Sequence, residues 1–329
     1  MILFGRQRYD FDSALAAGLD LVQARSWRAA WWLIRHPVQT LEINEPLMLP
    51  AVRSTAPALL GLTVSRLLGR PRARVVSYAM ENLDVETIPT GKLRLRRRLG
   101  RQLDRWVVRF IWGRTDRIVF ATSTAAELYA RRLPAKDPAA QTLIWALPAP
   151  APEAAAAVKD PNQVLFVGAF NERKGFPLLV QAWPKVRQAV PDARLQLIGK
   201  GPLQPLAEEL AASDPSVSCT IDPPRATIKE IQAGSQVLVL ASQRSPIWRE
   251  QVGLPIVEGL SYGCTIVTTT ETGLADWLVD HGHRVISPDG DVDELATAII
   301  SALGSPATGV LESLPDEDGR LAADAWMFR

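Results

Sequence analysis

Two basic side chains follow a predicted strand in the segment 163-QVLFVGAFNERKGFPLL-179. Arg173 and Lys174 come after the glycine that ends the strand, Gly168, and directly before Gly175 and a predicted helix. A glycine turn lets the backbone approach a phosphate closely, and both the cations and the helix N-terminus favour negative charge. The segment therefore predicts a diphosphate site. The simpler alternative is that both side chains only solvate a loop, and the motif alone leaves the two interpretations open.

Two carboxylates lie eight positions apart in 250-EQVGLPIVEGLSYGCTIV-267. Gly253 and Pro255 indicate a helix start between them, so we expect Glu250 in the preceding loop and Glu258 on the helix. A carboxylate here can accept two hydrogen bonds from ribose hydroxyls, and the backbone N–H groups of Gly253 and Leu254 can meet a diphosphate. Alternatively, Glu258 only complements the helix dipole and Glu250 is a solvated loop residue.

Metal and redox chemistry have little support in the sequence. Asp291 and Asp293 form a D-x-D pattern directly before an apolar periodic run, which favours helix capping over metal binding. The two cysteines, Cys219 and Cys264, stand in no CxxC or Cys/His cluster, so neither a disulfide framework nor a zinc site is indicated. We expect an enzyme without metal or cofactor, in a reducing compartment.

The second half of the chain alternates short β-branched runs with helical patterns. This alternation is typical of a parallel sheet covered on both faces. A Pro/Ala-rich stretch, 148–161, reads as the linker before it, which places the domains at residues 1–150 and 151–315. The first half has a weaker pattern and predicts a second, smaller doubly wound domain. The predicted strands are 40–44, 74–79, 117–122, 163–168, 195–199, 217–221, 236–241, 264–269 and 284–286.

Four motifs occur in a fixed order: F-V-G-x-x-x-x-x-K-G, L-x-L-I-G-x-G-P, E-x7-E and G-C-T-I-V. Together they resemble the C-terminal domain of the retaining GT-B glycosyltransferases of group 1, over about residues 163–303. This family includes sucrose synthases, glycogen synthases and bacterial cell-envelope mannosyl- and glucosyltransferases. The resemblance implies an α/β fold of two Rossmann-like doubly wound domains that face an interdomain cleft. It also implies that the segment 316–329 crosses back to the first domain, with Trp326 and Phe328 as anchors.

The resemblance also implies roles for individual residues. Lys174 would neutralise the donor diphosphate, Glu258 would bind the nucleotide ribose, and Glu250 would face the transferred sugar. One departure stands out, because the family usually has arginine where this chain has Ala169, and Arg173 is the candidate substitute. The remaining donor-side positions are Gly168, Gly201 in the loop 199–202 near the base, and the backbone of Gly253 and Leu254.

The acceptor side is expected in the first domain. In 78-YAMENLD-84, Glu81 and Asn82 follow a predicted strand and are candidates for the cleft, with a simple chain turn as the alternative. No histidine stands in a matching position.

The segment 92–114 carries nine basic residues and one acid, with an apolar line through Leu95, Leu99, Leu103, Trp106 and Phe110. Its spacing predicts an amphipathic helix whose apolar line packs on the first domain's sheet. The arginines either are solvated or face anionic lipid headgroups. Residues 1–150 hold 23 Lys/Arg against 12 Asp/Glu, a net charge of +11, and the remainder has −9, which keeps the lipid option open. Nucleic acid is disfavoured because no nucleic-acid module accompanies the basic run.

The sequence thus predicts a glycosyltransferase that moves a sugar from a nucleotide-diphosphate sugar to a cell-envelope glycan or lipid-linked saccharide, with retention and without metal. The alternative is a catalytically impaired GT-B protein that binds sugar nucleotides or acts as a scaffold. The N-terminus lacks the pattern of a secretory signal, and no stretch of about 20 apolar residues follows, so we expect a cytoplasmic protein with peripheral membrane contact as an open option.

Overall fold

A computed structural model describes residues 1–5, 16–84 and 95–329, without the side chains of residues 95–99. Its strands are β1 (Ile2–Phe4), β2 (Leu21–Gln23), β3 (Thr40–Ile43), β4 (Arg74–Ala79), β5 (Arg117–Phe120), β6 (Gln141–Leu143), β7 (Asp160–Val167), β8 (Arg194–Gly199), β9 (Val217–Ile221), β10 (Ser235–Leu240), β11 (Thr265–Thr269) and β12 (Arg284–Ile286). Its helices are α1 (Trp27–Arg35), α2 (Leu49–Leu67), α3 (Leu95–Arg114), α4 (Ser123–Arg132), α5 (Phe176–Ala189), α6 (Gln204–Ser213), α7 (Arg225–Gly234), α8 (Leu254–Ser261), α9 (Ala275–Asp280), α10 (Val292–Gly304) and α11 (Gly319–Phe328).

The second domain is built on a six-stranded parallel sheet with the order β12-β11-β10-β7-β8-β9. Numbered within the domain and read from the β9 edge, this order is 3-2-1-4-5-6, the arrangement of the Rossmann fold. The strand order reverses between β7 and β10. Ligands of such sheets bind at the carboxyl ends of the strands beside this reversal, so the topology predicts a site after β7 and β10.

The central strands are apolar on both faces because helices cover both sides of the sheet. Val164, Leu165 and Phe166 of β7 are each 0% exposed. Helices α5 and α10 pack together, and α10 also contacts β10 and β11. Burying both faces of the central strands gives a rigid platform for the loops at their carboxyl ends.

The first domain has a four-stranded parallel sheet in the order β3-β4-β5-β6, and β1 and β2 form a separate parallel pair. Helix α2 packs between α1 and α3. Because α2 buries residues around much of its circumference, among them Val52, Leu59 and Ser65, it has no single apolar stripe. This explains why the sequence showed no clean period here.

The closing helix α11 packs against the first domain's sheet, where Ala323 and Met327 are fully buried beside strands β4 and β5. The expectation that Phe328 is an anchor is wrong, since its side chain is 49% exposed. The other expected anchor, Trp326, lies with its ring 5.1 Å from the guanidinium carbon of Arg117. Met327 occupies the buried position because it lies one turn after Ala323 on the same helix face.

Helix α3 forms as expected, but it buries a different face from the predicted one. The buried side chains are Val108, Ile111 and Trp112, whereas Leu103 and Trp106 are 64% and 69% exposed. The expected packing of the apolar line is therefore wrong at these two positions. Residues 92–94 and the side chains of Leu95 and Leu99 lie outside the described residues. No helix in the described part of the chain is both long and apolar enough to cross a bilayer.

Candidate functional site

Lys174 and Glu250 meet at the reversal of strand order in the second domain's sheet. Lys174 ends a short 3-10 turn between β7 and α5, and Glu250 lies in the loop after β10. The Lys174 Nζ atom forms an ion pair with Glu250 Oε2, and the two side chains are only 13% and 11% exposed. The two segments singled out in the sequence therefore form one site.

Polar neighbours hold this pair in place. The hydroxyl of Ser242, two residues after β10, donates to Glu250 Oε2 at 3.1 Å. On the Lys174 side, Asn171 caps the 3-10 turn by accepting from the Lys174 N–H at 3.0 Å. The backbone N–H of Gln243 donates to the Arg173 carbonyl at 2.9 Å, which fastens the loop after β10 to this turn. Contacts from the turn after β7 and from the loop after β10 thus hold the Lys174–Glu250 pair in a fixed position.

Trp248 covers the 3-10 turn Glu172–Lys174, called here the basic turn. Its ring lies 4.0 Å from the Arg173 guanidinium carbon and 5.4 Å from Lys174 Nζ. Arg173 is exposed and therefore stands at the outer edge of the site, stacked on an aromatic face that stabilises a cation.

Glycines allow the loops at this edge to approach one another. Gly175 has φ +68°, and a Cβ there would lie 1.9 Å from the Ala241 carbonyl oxygen after β10. A Cβ on Gly199, at the end of β8, would lie 1.9 Å from the Gly168 carbonyl oxygen after β7. Any larger residue would push the three strand ends apart, so these glycines set the dimensions of the site.

Helix α8 begins beside the ion pair, with Gly253 at φ +85° as its N-cap and no side-chain hydrogen bond to the cap. Pro255 stands in the first turn, as predicted. The free backbone N–H groups at the N-terminus of α8 are positioned to bind an anion. Leu254, the first helical residue, is 75% exposed.

Glu258 lies on α8 and turns toward α7. Its carboxylate forms an ion pair with Arg225 and accepts from Gln232 Nε2 at 3.3 Å. Its side chain is 23% exposed. It is therefore held by two side chains, and a carboxylate with about four lone-pair positions keeps further acceptor capacity.

The loop 199–202 lies next to the basic turn. The Phe170 N–H donates to the Lys200 carbonyl at 3.1 Å, and a Cβ on Gly201 would lie 2.6 Å from the Phe170 carbonyl oxygen. Lys200 forms an exposed ion pair with Asp222 at 2.6 Å. The loop thus borders the predicted donor site on the β8 side.

Asn82 and Glu81 of the first domain reach the second domain directly. The Asn82 side-chain amide donates to the Glu250 carbonyl at 2.8 Å and to the Glu271 carbonyl at 3.3 Å. Glu81 Oε2 accepts from Gln251 Nε2 at 3.3 Å. Within the described residues, the buried Asn82 Oδ1 atom has no hydrogen-bond partner. Both acceptor-side candidates therefore lie at the interdomain cleft rather than only turning the chain.

Two further ion pairs, both with Glu271, support this contact between the domains. Glu271 is 0% exposed and accepts from Arg249 Nε at 3.0 Å and from Arg244 Nε at 3.2 Å. Arg249 immediately precedes Glu250, so its attachment to Glu271 fixes the backbone of the loop that carries the site.

Glu45 is a buried carboxyl next to the segment that carries the acceptor-side candidates Glu81 and Asn82. It accepts from the backbone N–H of Met80 and of Glu81, at 3.1 and 3.0 Å, and from the Tyr129 hydroxyl at 3.2 Å. Burial, with a smaller contribution from the Glu81 carboxylate, raises the pKa of Glu45 from 4.5 to about 7. Glu45 thus anchors the segment that carries Glu81 and Asn82.

The D-x-D pattern is a helix cap, as predicted. Asp291 accepts from the backbone N–H groups of Asp293 and Glu294, both at 2.9 Å, at the start of α10. Among the described residues, no group of three His, Cys, Asp or Glu side chains is placed to hold a metal ion.

Ser242, Trp248, Arg249 and Glu45 were not found from the sequence. Ser242 and Glu45 stand shortly after β10 and β3, and polar residues at the carboxyl ends of parallel strands are a usable signal. Trp248 and Arg249 carry no such signal because their roles depend on how the loop folds back.

The comparisons with known proteins agree with this geometry. Residues 161–305 match the model of the family described as glycosyl transferases group 1. A Mycolicibacterium smegmatis protein, the GDP-mannose-dependent alpha-(1-6)-phosphatidylinositol monomannoside mannosyltransferase, is 25% identical over 95% of this chain and 85% of its own length.

Two solved structures are similar in fold. WaaG, a glycosyltransferase involved in lipopolysaccharide biosynthesis, superposes with a TM-score of 0.58 at 15% identity, covering 92% of this chain and 96% of WaaG. Anabaena HepE in complex with UDP gives a TM-score of 0.59 at 15% identity, covering 91% of this chain and 76% of HepE. At this identity the likeness establishes the two-domain GT-B architecture and nothing finer.

Proposed function

Since its second domain belongs to the glycosyl transferases group 1 family and the chain has the GT-B fold, we propose that this protein is a retaining, metal-independent glycosyltransferase. It moves a sugar from a nucleotide-diphosphate sugar to a cell-envelope acceptor. The proposal rests above all on one observation: Lys174 and Glu250, from loops on the two sides of the strand-order reversal, meet in a largely buried ion pair.

The leaving group determines what the site must do. As the glycosidic bond to the diphosphate breaks, negative charge builds on the phosphate oxygens, and preorganised cations and amides stabilise it. Lys174, with Arg173 at the edge and the amides of Gly253 and Leu254 at the start of α8, supplies these groups. Their charge replaces that of a metal ion, so the reaction proceeds without one.

Glu250 changes partners when the donor binds. With the diphosphate present, Lys174 turns its charge to the phosphates, and the Glu250 carboxylate accepts from hydroxyls of the transferred sugar. Ser242 keeps that carboxylate in place. The acceptor attacks from the face that the leaving phosphate occupies, and the phosphate takes the acceptor's proton. This route retains the anomeric configuration and requires no protein nucleophile.

Glu258 binds the ribose of the nucleotide, and the loop 199–202 with Gly201 and the turn after Gly168 border the base and phosphates. Arg225 and Gln232 orient the Glu258 carboxylate for this contact. On the acceptor side, Glu81 accepts from the acceptor hydroxyls, and the buried side-chain amide of Asn82 holds the segment that carries Glu81 against the second domain.

The acceptor is a cell-envelope glycan or a lipid-linked saccharide. This part of the proposal is supported by the printed activities of the similar proteins, a phosphatidylinositol monomannoside mannosyltransferase and a glycosyltransferase of lipopolysaccharide biosynthesis.

A membrane surface is the second partner. Trp27 and Trp31 on α1 and Leu67 on α2 are 68%, 55% and 81% exposed, and α2 packs between α1 and α3, whose Leu103 and Trp106 are also exposed. Exposed aromatic and apolar side chains on a strongly basic domain suit the anionic inner face of a cell membrane. The protein would act at this surface, on the cytoplasmic side, where the head group of a lipid-linked acceptor is within its reach.

A thermal-shift screen of UDP-, GDP- and ADP-sugars tests the donor half of the proposal. A ligand that binds only the folded state raises the unfolding temperature. One of these nucleotide series is expected to stabilise the wild type and the control Lys185→Met, whose lysine forms an exposed ion pair with Asp293 outside the site. The shift is expected to shrink strongly in Lys174→Met.

Two outcomes would contradict the proposal. Stabilisation by none of the nucleotides would remove the donor site altogether. Stabilisation without transfer or donor hydrolysis would favour a GT-B protein that binds sugar nucleotides without turnover, for which Ala169 is the sequence feature.

A further inference from the structure

We propose that a cavity between α3 and α4 in the first domain binds an amphiphile with a phosphate head, and that this is the class of acceptor the enzyme uses. The identification of this ligand as the acceptor rests on the proposed function. The chemical class of the ligand is argued independently, from the residues that line the cavity.

The cavity has a volume of about 490 Å³, within the range of small-molecule sites. Its floor is apolar and belongs to the edge of the first domain's core. Val108 on α3 and Leu128 on α4 are 5% and 2% exposed, and Leu47 in the loop after β3 and Leu49 at the start of α2 pack against the first domain's core. A hydrocarbon chain placed here would leave water without exposing polar backbone groups.

The rim of the cavity is cationic. Arg101, Arg105 and Arg109 follow one another at four-residue spacing on α3, so they lie on one face of the helix. Arg131 and Arg132 face them from α4. Against these five arginines the cavity lining contains two acids, Asp84 and Asp104.

Two of these arginines are available for a ligand. Arg132 is engaged by Asp84, and Arg131 pairs with Glu127 along α4. Arg101 and Arg109, by contrast, form no hydrogen bond or ion pair within the part of the chain that the structure describes. A guanidinium group binds two phosphate oxygens in a planar, bidentate geometry, which makes phosphate the best match for such a rim.

The combination of floor and rim selects the ligand class. A sugar or nucleotide would leave the apolar floor unused, and a simple hydrocarbon would leave the arginines unpaired. A phosphate head with an alkyl chain satisfies both surfaces at once. A lipid is the source that supplies both parts, whereas free phosphate supplies only the head.

The cavity lies close to the donor side. Leu83 and Asp84 line it, and they directly follow Asn82, whose amide donates to the Glu250 carbonyl at 2.8 Å. Consecutive Cα atoms are about 3.8 Å apart. The segment that carries Asn82 to the donor side therefore continues directly into the cavity lining, which places a lipid bound in the cavity on the side of the first domain that meets the donor site.

Calorimetric titration of the purified chain with soluble probes tests the ligand class. The probes are inorganic phosphate, n-butyl phosphate, n-octyl phosphate and the uncharged n-octyl glucoside, each below its micelle concentration. We expect about a fourfold gain in affinity per buried methylene, hence at least about tenfold tighter binding of octyl than of butyl phosphate. The doubly substituted Arg101→Gln/Arg109→Gln chain is expected to lose at least about tenfold in octyl phosphate affinity.

The control is Arg28→Gln/Arg53→Gln, which removes two exposed arginines of the same domain outside this cavity and should bind octyl phosphate as the wild type does. Equal affinity for inorganic and octyl phosphate would overturn the inference in favour of a simple anion site. Equal affinity for octyl glucoside and octyl phosphate, or equal losses in both double variants, would also overturn it.

The same preparations separate this inference from the proposed function. Nucleotide binding, measured by thermal shift, should be the same in Arg101→Gln/Arg109→Gln and the wild type. Nucleotide binding without selective octyl phosphate binding would overturn the inference alone. Selective octyl phosphate binding without any nucleotide binding would overturn the proposed function and leave the ligand class of the cavity standing.

Discussion

Lys174 Nζ and Glu250 Oε2 form an ion pair across the point at which the strand order of the second domain reverses, with side chains 13% and 11% exposed. The two residues are 76 positions apart in the chain. Each charge depends on the other for compensation in the absence of a ligand, and a bound diphosphate offers Lys174 a second partner. This relationship connects the stability of the apoprotein to the chemistry of the site.

Removing one partner of this pair is expected to cost more than removing both. Lys174→Met leaves a buried carboxylate whose remaining side-chain partner within the described residues is the Ser242 hydroxyl. The unpaired charge should lower the free energy of unfolding by about 3 to 5 kcal/mol. Lys174→Met/Glu250→Gln should recover a large part of this loss. Urea denaturation of both single variants, the double variant and the control Lys185→Met measures the coupling. Strict additivity of the two single effects would show that the pair contributes nothing as a pair.

Much of this site was predictable from residues in their local sequence. The β-branched runs predicted both ends of strands β7 to β12 to within three residues, and those of β9 and β12 without deviation, because buried parallel strands are nearly all apolar. The Lys174–Glu250 contact itself was not predictable by spacing, since it depends on which strands become neighbours in the sheet.

Glu258 is expected to recognise the sugar of the nucleotide. Glu258→Gln keeps the shape but weakens the charge-assisted hydrogen bonds to the ribose hydroxyls, so affinity for the nucleoside diphosphate should fall about tenfold. The 2′-deoxynucleoside diphosphate should lose much less, because one of those hydroxyls is already missing. Titration calorimetry of both ligands checks this, with Glu209→Gln on the exposed face of α6 as control. An equal loss for both nucleotides would remove the ribose assignment.

Glu45 should make stability depend on pH in a defined window. Its pKa in the folded chain is raised from 4.5 to about 7, so its favourable contribution is complete below about pH 4.5 and is lost as the pH rises through 7. Glu45→Gln removes this titration, and its stability relative to the wild type should therefore increase between pH 5 and pH 8. The whole shift corresponds to about 3 kcal/mol, an order-of-magnitude value.

Thermal unfolding at several pH values measures this difference. Burial lowers the pKa of His283 to about 4, which acts in the opposite direction in both chains and cancels in the comparison. The exposed Glu230→Gln serves as the control and should give a flat difference. A flat difference for Glu45→Gln as well would contradict the raised pKa.

The exposed side chains of α3 are expected to contact membranes. Trp106→Ser and Leu103→Ser remove apolar surface that is 69% and 64% exposed, so folding should be unaffected. Binding to vesicles containing phosphatidylglycerol should nevertheless fall at least about tenfold for the pair of changes. Vesicle flotation measures this, with Val158→Ser, at a position 90% exposed on the second domain, as the control. Unchanged flotation of the double variant would count against the membrane surface.

Helix α3 also shows where sequence patterns stop being sufficient. Its sequence contains two apolar lines, one through Leu103, Trp106 and Phe110 and one through Val108, Ile111 and Trp112. Both have helical spacing, so periodicity alone cannot decide which one faces the sheet. Packing against α2 and the contact of Trp112 with Tyr129 select the second line.

The most direct test of the central claim is the turnover rate of Lys174→Met with the sugar nucleotide found in the thermal-shift screen. Release of the nucleoside diphosphate is followed at a temperature at which the wild type, Lys174→Met and Lys185→Met are all folded. Loss of one preorganised charge at the leaving group should lower kcat by about a hundredfold or more in Lys174→Met, and Lys185→Met should match the wild type. Wild-type turnover by folded Lys174→Met would contradict the claim that this lysine stabilises the departing diphosphate.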